Sequence, residues 1–493
     1  MKKKLVIIGA GFAGLSAAAF MAKAGWDVKV LEKNATAGGR ARRLEENGFR
    51  FDMGPSWYWM PDVFERFFEQ FGKKLPDYYE LSRLDPSYRV YWKNGFTDIP
   101  ACYEKLKEIF EDLEKGSSHQ LDRYLKQAET KYQLGMKELV YQPGRSVMEF
   151  LQWKILKNLA RLDVFKSVRN HVFKHFQHPR LRQLMEFPML FLGAKPESTP
   201  ALYSLMNYAD IIGGTWYPKG GMYSIVEAMQ RLAEEQGAEF LMNEEASEIV
   251  TEKGRVVKLV TKKFEYAVDA VISSGDYHFT ESQLLKKEDR NYSESYWNKK
   301  LLAPSCLMYY IGLNKKLKEI RHHSLFFDHS FDQHAHQIYD DPQWPDQPLF
   351  YVNAPSVTDP DVAPNGCENL TILVPIASGL TGDTEERRQE YLRQILVRME
   401  HHTGESISDA IIYQKTFSIS DFTNDYHSYK GNAYGLANVL SQTAMLRPSC
   451  RSKKIKNLFY AGQFTVPGPG VPPSIISGEV ASKELIRSFK SSG

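Results

Sequence analysis

Long hydrophobic runs, cysteine pairs and an excess of one charge are all missing from this chain. No stretch approaches the roughly 20 consecutive apolar residues that a membrane-crossing helix requires, so the chain is expected not to cross a bilayer, though it could lie on one. Four cysteines stand in 493 residues, Cys102, Cys306, Cys367 and Cys450. They are scattered without the close spacing of a metal site or redox pair, and read as buried thiols of a reducing cytosol. The formal net charge is only +3, with a pI near 8.3, too balanced for the basic footprint of a nucleic-acid binder. Internal repeats and low-complexity segments are also lacking.

What is present is a large, ordinary globular composition, 43% hydrophobic and 13% aromatic. A chain this long is expected to divide into two or three domains. Lysines at positions 2 to 4 precede Leu5-Val6-Ile7-Ile8, as in the start of a secretory signal. The run then meets Gly9, Gly11 and Gly14 without a cleavage-like site, so a strand entering a helix is the better reading.

That strand opens a dinucleotide fingerprint. Gly9 permits a tight turn, Gly11 lets backbone approach a pyrophosphate, and Gly14 lets helix and strand pack closely. Leu15 to Ala24 reads as the helix, whose N-terminus offers free N–H groups to phosphate. A second apolar run, Val28 to Leu31, ends at Glu32, placed to accept hydrogen bonds from ribose hydroxyls. The order of strand, glycines, helix, strand and acid carries more weight than the triplet alone, but leaves NAD and FAD open.

The following segments separate the two. Gly38-Gly39-Arg40 resembles the doublet and arginine of the second glutathione-reductase-like family of FAD proteins, which includes amine oxidases, carotenoid desaturases and the Rab GDP-dissociation inhibitors. The doublet allows close approach, and Arg40 offers charge-assisted bonds to phosphate. Phe51-Asp52-Met53-Gly54-Pro55-Ser56 fits a turn that brings backbone up to a flavin. Far downstream, Asn457 to Gln463 reads as a strand and glycine turn, followed by Pro467 to Ser474 and a helix from Ile475 to Ser488. A rigid loop and helix N-terminus there could stabilise negative charge on a reduced flavin.

Between these ends, amphipathic helices are expected over Tyr103 to Glu114 and Leu121 to Leu139. Strands are expected at Phe240-Leu241-Met242, Ser247 to Val250, Val256 to Thr261 and Val268 to Ser273. The expected fold class is α/β: a Rossmann-type FAD-binding domain from residues 1–75, 215–300 and 425–493, a helical substrate- and membrane-contacting region at 76–214, and a mixed α+β substrate region at 301–424.

End to end, the chain resembles the bacterial carotenoid (phytoene) desaturases. The likeness covers the N-terminal fingerprint, Tyr217-Pro218-Lys219-Gly220-Gly221-Met222, Ala354 to Pro360 with Ala363 to Asn369, Gln442 to Pro448, and the C-terminal loop. Trp57-Tyr58-Trp59-Met60-Pro61 most resembles members acting on phytoene. The resemblance implies FAD contacts at Gly9, Gly11, Gly14, Glu32, Lys33, Gly39, Arg40, Gly54, Pro55, Ser56, Gly462 and Gln463. Ala246 matches a backbone position at the adenine, and Val471 and Pro472 match the loop and helix start beside the flavin. Many relatives carry an acid where this chain has Gln463, which hydrogen-bonds without charge.

The implied activity is dehydrogenation of phytoene towards neurosporene or lycopene, with hydride passing to flavin. A desaturase or isomerase of another carotenoid, hydroxylated or cyclic, is the alternative, as is a prenyl-binding module without redox chemistry. No catalytic acid or base is named: Arg145, Lys195 and Glu197 read as solvated or structural. The implied partners are a long apolar polyene and a membrane surface at the inner face of a cytoplasmic membrane. Between Lys154 and Arg182 there are eight Lys/Arg residues and one acid, Asp163. Ile155, Leu159, Leu162, Phe165, Val168, Val172 and Phe176 form a stripe that suits either a bilayer interface or a core. His171, His175 and His178 read as a basic surface patch, His322-His323 and His401-His402 as unremarkable, and no metal is expected.

Overall fold

The computed structural model describes residues 2–145 and 166–490. Its centre is a parallel sheet of β1 (Lys4–Ile8), β2 (Asp27–Glu32), β3 (Ala238–Met242), β4 (Ala270–Ser273) and β5 (Leu458–Tyr460). They lie in the order β5-β4-β1-β2-β3, and every neighbouring pair is parallel. Leu5, Val6 and Ile7 are almost fully buried, as a strand covered on both faces requires. The chain leaves β1 for β2 on one side and reaches β4 on the other. A crevice therefore opens at their C-terminal ends, where such sheets bind ligands.

Helix α1 (Phe12–Lys23) buries ten of its twelve residues. It packs against the helix Tyr223–Glu235 and against α2 (Val471–Lys490), the last helix of the described chain. A Cβ at Gly478 would come within 2.3 Å of the Ala13 carbonyl oxygen, and the Ser16 hydroxyl donates to the Ile475 carbonyl at 2.7 Å. The two ends of the sequence thus meet beside the crevice.

A seven-stranded sheet stands next to this unit, in the order Ile411–Phe417, Ser305–Leu313, Glu368–Ile376, Phe350–Asn353, His323–Phe327, Tyr88–Trp92, Phe96–Ile99. Ser305–Leu313 is buried throughout. Tyr309 and Ile311 pack towards the helix Glu385–Thr403, whereas Cys306, Met308 and Tyr310 face Phe49, Phe51 and Met53. The expected all-helical region 76–214 differs here, because Tyr88–Trp92 and Phe96–Ile99 are strands of this sheet. The signal was present in a buried, aromatic and β-branched run followed by Asn94-Gly95, a hairpin pair. Gly95 has φ +73° and its carbonyl accepts from Trp92 N–H at 2.9 Å.

The helical stripe also resolves differently over its described part. Val168, Val172 and Phe176 have no exposure, so this portion faces protein. Ile155, Leu159, Leu162 and Phe165 lie outside the described residues. His171 and His175 are buried against Tyr124, at 4.9 and 5.5 Å between ring centroids, which corrects the reading of a basic surface patch. They share the inward helical period of Val168 and Val172. Arg169 is paired with Glu186, Asp332 and Glu197, Lys195 with Asp340, and Arg145 with Glu484, which are structural roles. Among the described residues no helix is long and apolar enough to cross a membrane, and no cluster of metal-ligating side chains occurs. The cysteines are free, but only Cys306 and Cys450 are buried; Cys102 is exposed and Cys367 partly so.

Candidate active site

The crevice at the β1 and β4 ends is a cleft of about 1630 Å³, counting the solvent space open at its mouth. Gly9 turns the chain at φ +92°. A Cβ on Gly14 would sit 2.0 Å from the Gly9 carbonyl oxygen, so helix and turn fit only with glycine. A Cβ on Gly11, by contrast, would meet nothing within 4 Å and would project into the cleft. No side chain caps the α1 N-terminus, which leaves its first N–H groups for a ligand.

Glu32 closes this end. One carboxylate oxygen accepts from Ala10 N–H at 2.9 Å, the other from Asn34 N–H and side-chain amide at 2.9 and 3.0 Å. The side chain is 4% exposed, so the acid holds the glycine turn as well as facing the cleft. Glu245 and Ala246 line the same end. There the His427 ring stacks on Phe279 at 3.9 Å and contacts Glu245 at 2.7 Å. Lys33 donates to the Asn424 carbonyl at 2.7 Å.

Arg40 lies deeper. Its guanidinium donates to Ser428 and to the Asn432 carbonyl, while its Nε is buried without a partner. Burial pulls the guanidinium below its ordinary value, and Asp276 opposes that shift. The Asp276 carboxyl is itself pushed up by burial and restrained by the N–H groups of Phe279 and Tyr429 and by Arg40. A Cβ-free, uncapped helix end and an unpartnered buried arginine nitrogen suit an anionic dinucleotide such as FAD. At the far end the cleft is walled by Gly54, Pro55, Cys306, Met308, Gly462 and Val471. Burial pushes the Cys306 thiol up to about 12, so it stays neutral.

Twelve of the fifteen residues expected at the cofactor line this cleft: Gly9, Gly11, Glu32, Lys33, Gly39, Arg40, Gly54, Pro55, Ala246, Gly462, Gln463 and Val471. Gly14 acts behind the wall through its fit to Gly9. Ser56 instead hydrogen-bonds the Tyr351 hydroxyl at 2.9 Å, and Pro472 falls between the lining residues Val471 and Ser474. Missed by sequence reasoning were Ser274-Gly275-Asp276, the turn after β4, and Cys306, Met308, Leu373 and Tyr434. The first had a signal, a small polar turn directly after a parallel strand. The others come from strands and loops whose alternation does not say which face meets a ligand.

A second, smaller cavity adjoins the first, with about 640 Å³ of space when its open mouth is counted. Phe187, Leu325, Phe327, Phe331, Ile338 and Leu349 form much of its wall, and Leu373 and Tyr434 line both cavities. Its titratable lining is neutral. Burial pushes His334 down to about 4 and Tyr351 and Tyr434 far up. Both ring nitrogens of His334 are engaged, by Leu349 N–H at 3.1 Å and the Pro375 carbonyl at 2.8 Å. Just beyond, Trp57 stacks on His323 at 4.1 Å, and His323 Nδ1 lies 2.6 Å from the Tyr351 hydroxyl. His322 and His323, unremarkable by sequence, are therefore buried beside the chamber wall.

Comparison with known proteins agrees with this geometry. The flavin containing amine oxidoreductase family matches residues 12–486. A carotenoid 3,4-desaturase of Haloarcula japonica is 42% identical, over 98% of this chain and 98% of its own. A zeta-carotene-forming phytoene desaturase of Myxococcus xanthus is 31% identical, over 98% and 94%. Among solved structures, an oxidoreductase from Methanosarcina mazei superposes with TM-score 0.64 at 16% identity, covering 97% of this chain and 100% of that one. A putrescine oxidase variant does so with TM-score 0.64 at 13% identity, covering 99% of each; both show the shared fold. The chain belongs to the flavin-containing amine oxidoreductases and, within them, to the carotenoid desaturases, as an FAD-dependent oxidoreductase acting on CH–CH groups.

Proposed function

We propose that the protein desaturates a linear carotenoid, removing two hydrogens from a CH–CH unit adjoining a conjugated polyene. The observation that carries this reading is the shared wall of the two cavities. Among the described residues, Leu373 and Tyr434 alone are common to both linings, so a hydrocarbon in the chamber would reach the flavin end of the cleft between them. Bound FAD supplies the hydride acceptor.

The chain's own residues bind, orient and keep dry. In the FAD cleft, Gly11 and the α1 N-terminus would hold the pyrophosphate, Glu32 the ribose, and Glu245-Ala246 the adenine. Gly54, Pro55, Gly462 and Val471 would frame the flavin. Among the described residues the chamber carries no Asp, Glu, Lys or Arg in its lining, and its histidine and tyrosines stay neutral. A polyene is therefore held by shape and dispersion, with water excluded from the reacting carbon.

Two positions for the new double bond are in play. Sequence motifs around Trp57 favour phytoene. The higher identity to a 3,4-desaturase, 42% against 31% for the phytoene enzyme, favours an already conjugated acyclic carotenoid desaturated near its end. Incubation of holoprotein with liposomes carrying either phytoene or an acyclic conjugated carotenoid separates the two. A longer-wavelength product from the conjugated carotenoid, with phytoene unchanged, is expected. Conversion of phytoene alone would return the assignment to the earlier desaturation steps.

A further inference from the structure

The segment Gln442 to Pro448 was singled out by resemblance but has no part in the site as described so far. Its single arginine, Arg447, is unusual. Arg447 is 4% exposed, yet no carboxylate forms an ion pair with it among the described residues. Its acceptors are all neutral: the Gln463 carbonyl at 3.2 Å, the Leu436 carbonyl at 3.4 Å, and the Asn438 side-chain oxygen. Its Nε has no partner. Lys300, which feels the Arg447 charge, is another cation.

A buried, unpaired cation is costly unless something negative answers it. The place where Arg447 sits indicates what that is. It grips the loop leading to α2 at two points. Gln463, whose carbonyl it binds, lines the cofactor cleft. At Gly468, with φ +140°, an added Cβ would lie 3.0 Å from its guanidinium. Two residues on, Gly470 and Val471 line the flavin end of the cleft. Hydride uptake brings two electrons and one proton, so the reduced cofactor carries one more negative charge than the oxidised one. A fixed cation behind this loop favours that charged form.

We propose that Arg447 is a positioning residue for the loop Gln463–Gly470, and that its unpaired charge shifts the bound flavin towards the reduced state. This rests on the FAD site and not on the identity of the carotenoid. The test equilibrates purified holoprotein with a redox dye of known potential, without carotenoid. Arg447→Gln should lower the reduced-to-oxidised ratio at fixed potential by about tenfold, or about 30 mV for a two-electron couple. Arg447→Lys, which keeps the charge, should recover most of it. Asn438→Asp gives an independent reading if Arg447→Gln fails to retain FAD, because it pairs the guanidinium with a carboxylate while keeping it in place. It should lower the ratio in the same direction. Unchanged potentials in FAD-loaded Arg447→Gln or Asn438→Asp would overturn the proposal. Equal shifts in Arg447→Gln and Arg447→Lys would also overturn it, since geometry and not charge would then be responsible.

Discussion

The two cavities are built by opposite means. The cofactor cleft is made largely of backbone: glycine turns, an uncapped helix end and carbonyl-anchored loops, with Glu32 and Arg40 as its main charged anchors. The apolar chamber is made of side chains, drawn from Phe187, from the helix Phe331–Tyr339 and from sheet strands and loops between residues 304 and 434. A backbone site tolerates little change at a few positions, because its shape is the chain path itself. A side-chain site spreads its tolerance over many residues, each of which can be resized. The cleft should therefore fail abruptly under single substitutions, and the chamber should retune.

The sharpest break of that comparison is Gly14→Val. Its Cβ would overlap the Gly9 carbonyl, at 2.0 Å, so helix and turn would have to separate. Loss of more than about 3 kcal/mol of stability and of FAD together is expected, read by thermal unfolding and flavin content. A yellow protein of normal stability would mean that this turn is not rigid.

Next comes Leu373→Trp, which fills the wall shared by the cavities. Carotenoid turnover should fall about 100-fold while FAD remains bound, at an overpacking cost of about 1–3 kcal/mol. Turnover at the parental rate would show that the substrate reaches the flavin by another route. Glu32→Ala removes the acceptor of three N–H donors and the ribose contact. FAD affinity measured by titration of apoprotein should weaken about 10- to 100-fold, and undiminished affinity would leave the carboxylate with a folding role alone.

The smallest effect is in pH. Burial lowers His334 from 6.5 to about 4 and His322 to about 3. The unfolded chain then binds more protons than the folded one between pH 6.5 and 4. Stability should decline as pH falls through that window, by up to about 1.4 kcal/mol per unit for each histidine. His334→Gln should flatten the slope of denaturation midpoint against pH; an unaltered slope would mean that His334 is accessible to protons in the fold.

The difference in construction also explains what the sequence disclosed. Gly9, Gly11, Glu32 and Gly39-Arg40 were legible because their job depends on local order along the chain, and turn chemistry is local. The parallel strands were legible as unbroken apolar runs. The chamber was not, since Leu325 on a strand, Phe331 on a helix and Tyr434 in a bend about a hundred residues on meet only through tertiary packing, and an apolar residue looks the same facing a core or a ligand. The buried histidines misled for the same reason: His171 and His323 are polar by type, and only packing shows them inside. Tyr88–Trp92 escaped because a single hairpin sits among long helices whose periodicity dominates the region.

The central claim is that hydride from a carotenoid in the chamber reaches a flavin in the cleft. Mixing oxidised holoprotein anaerobically with liposomes carrying the acyclic conjugated carotenoid, and following both chromophores, tests it directly. The account predicts bleaching of the flavin band in step with a longer-wavelength carotenoid, one product per flavin. Product formed while the flavin stays oxidised, or a flavin that no carotenoid reduces, would contradict it.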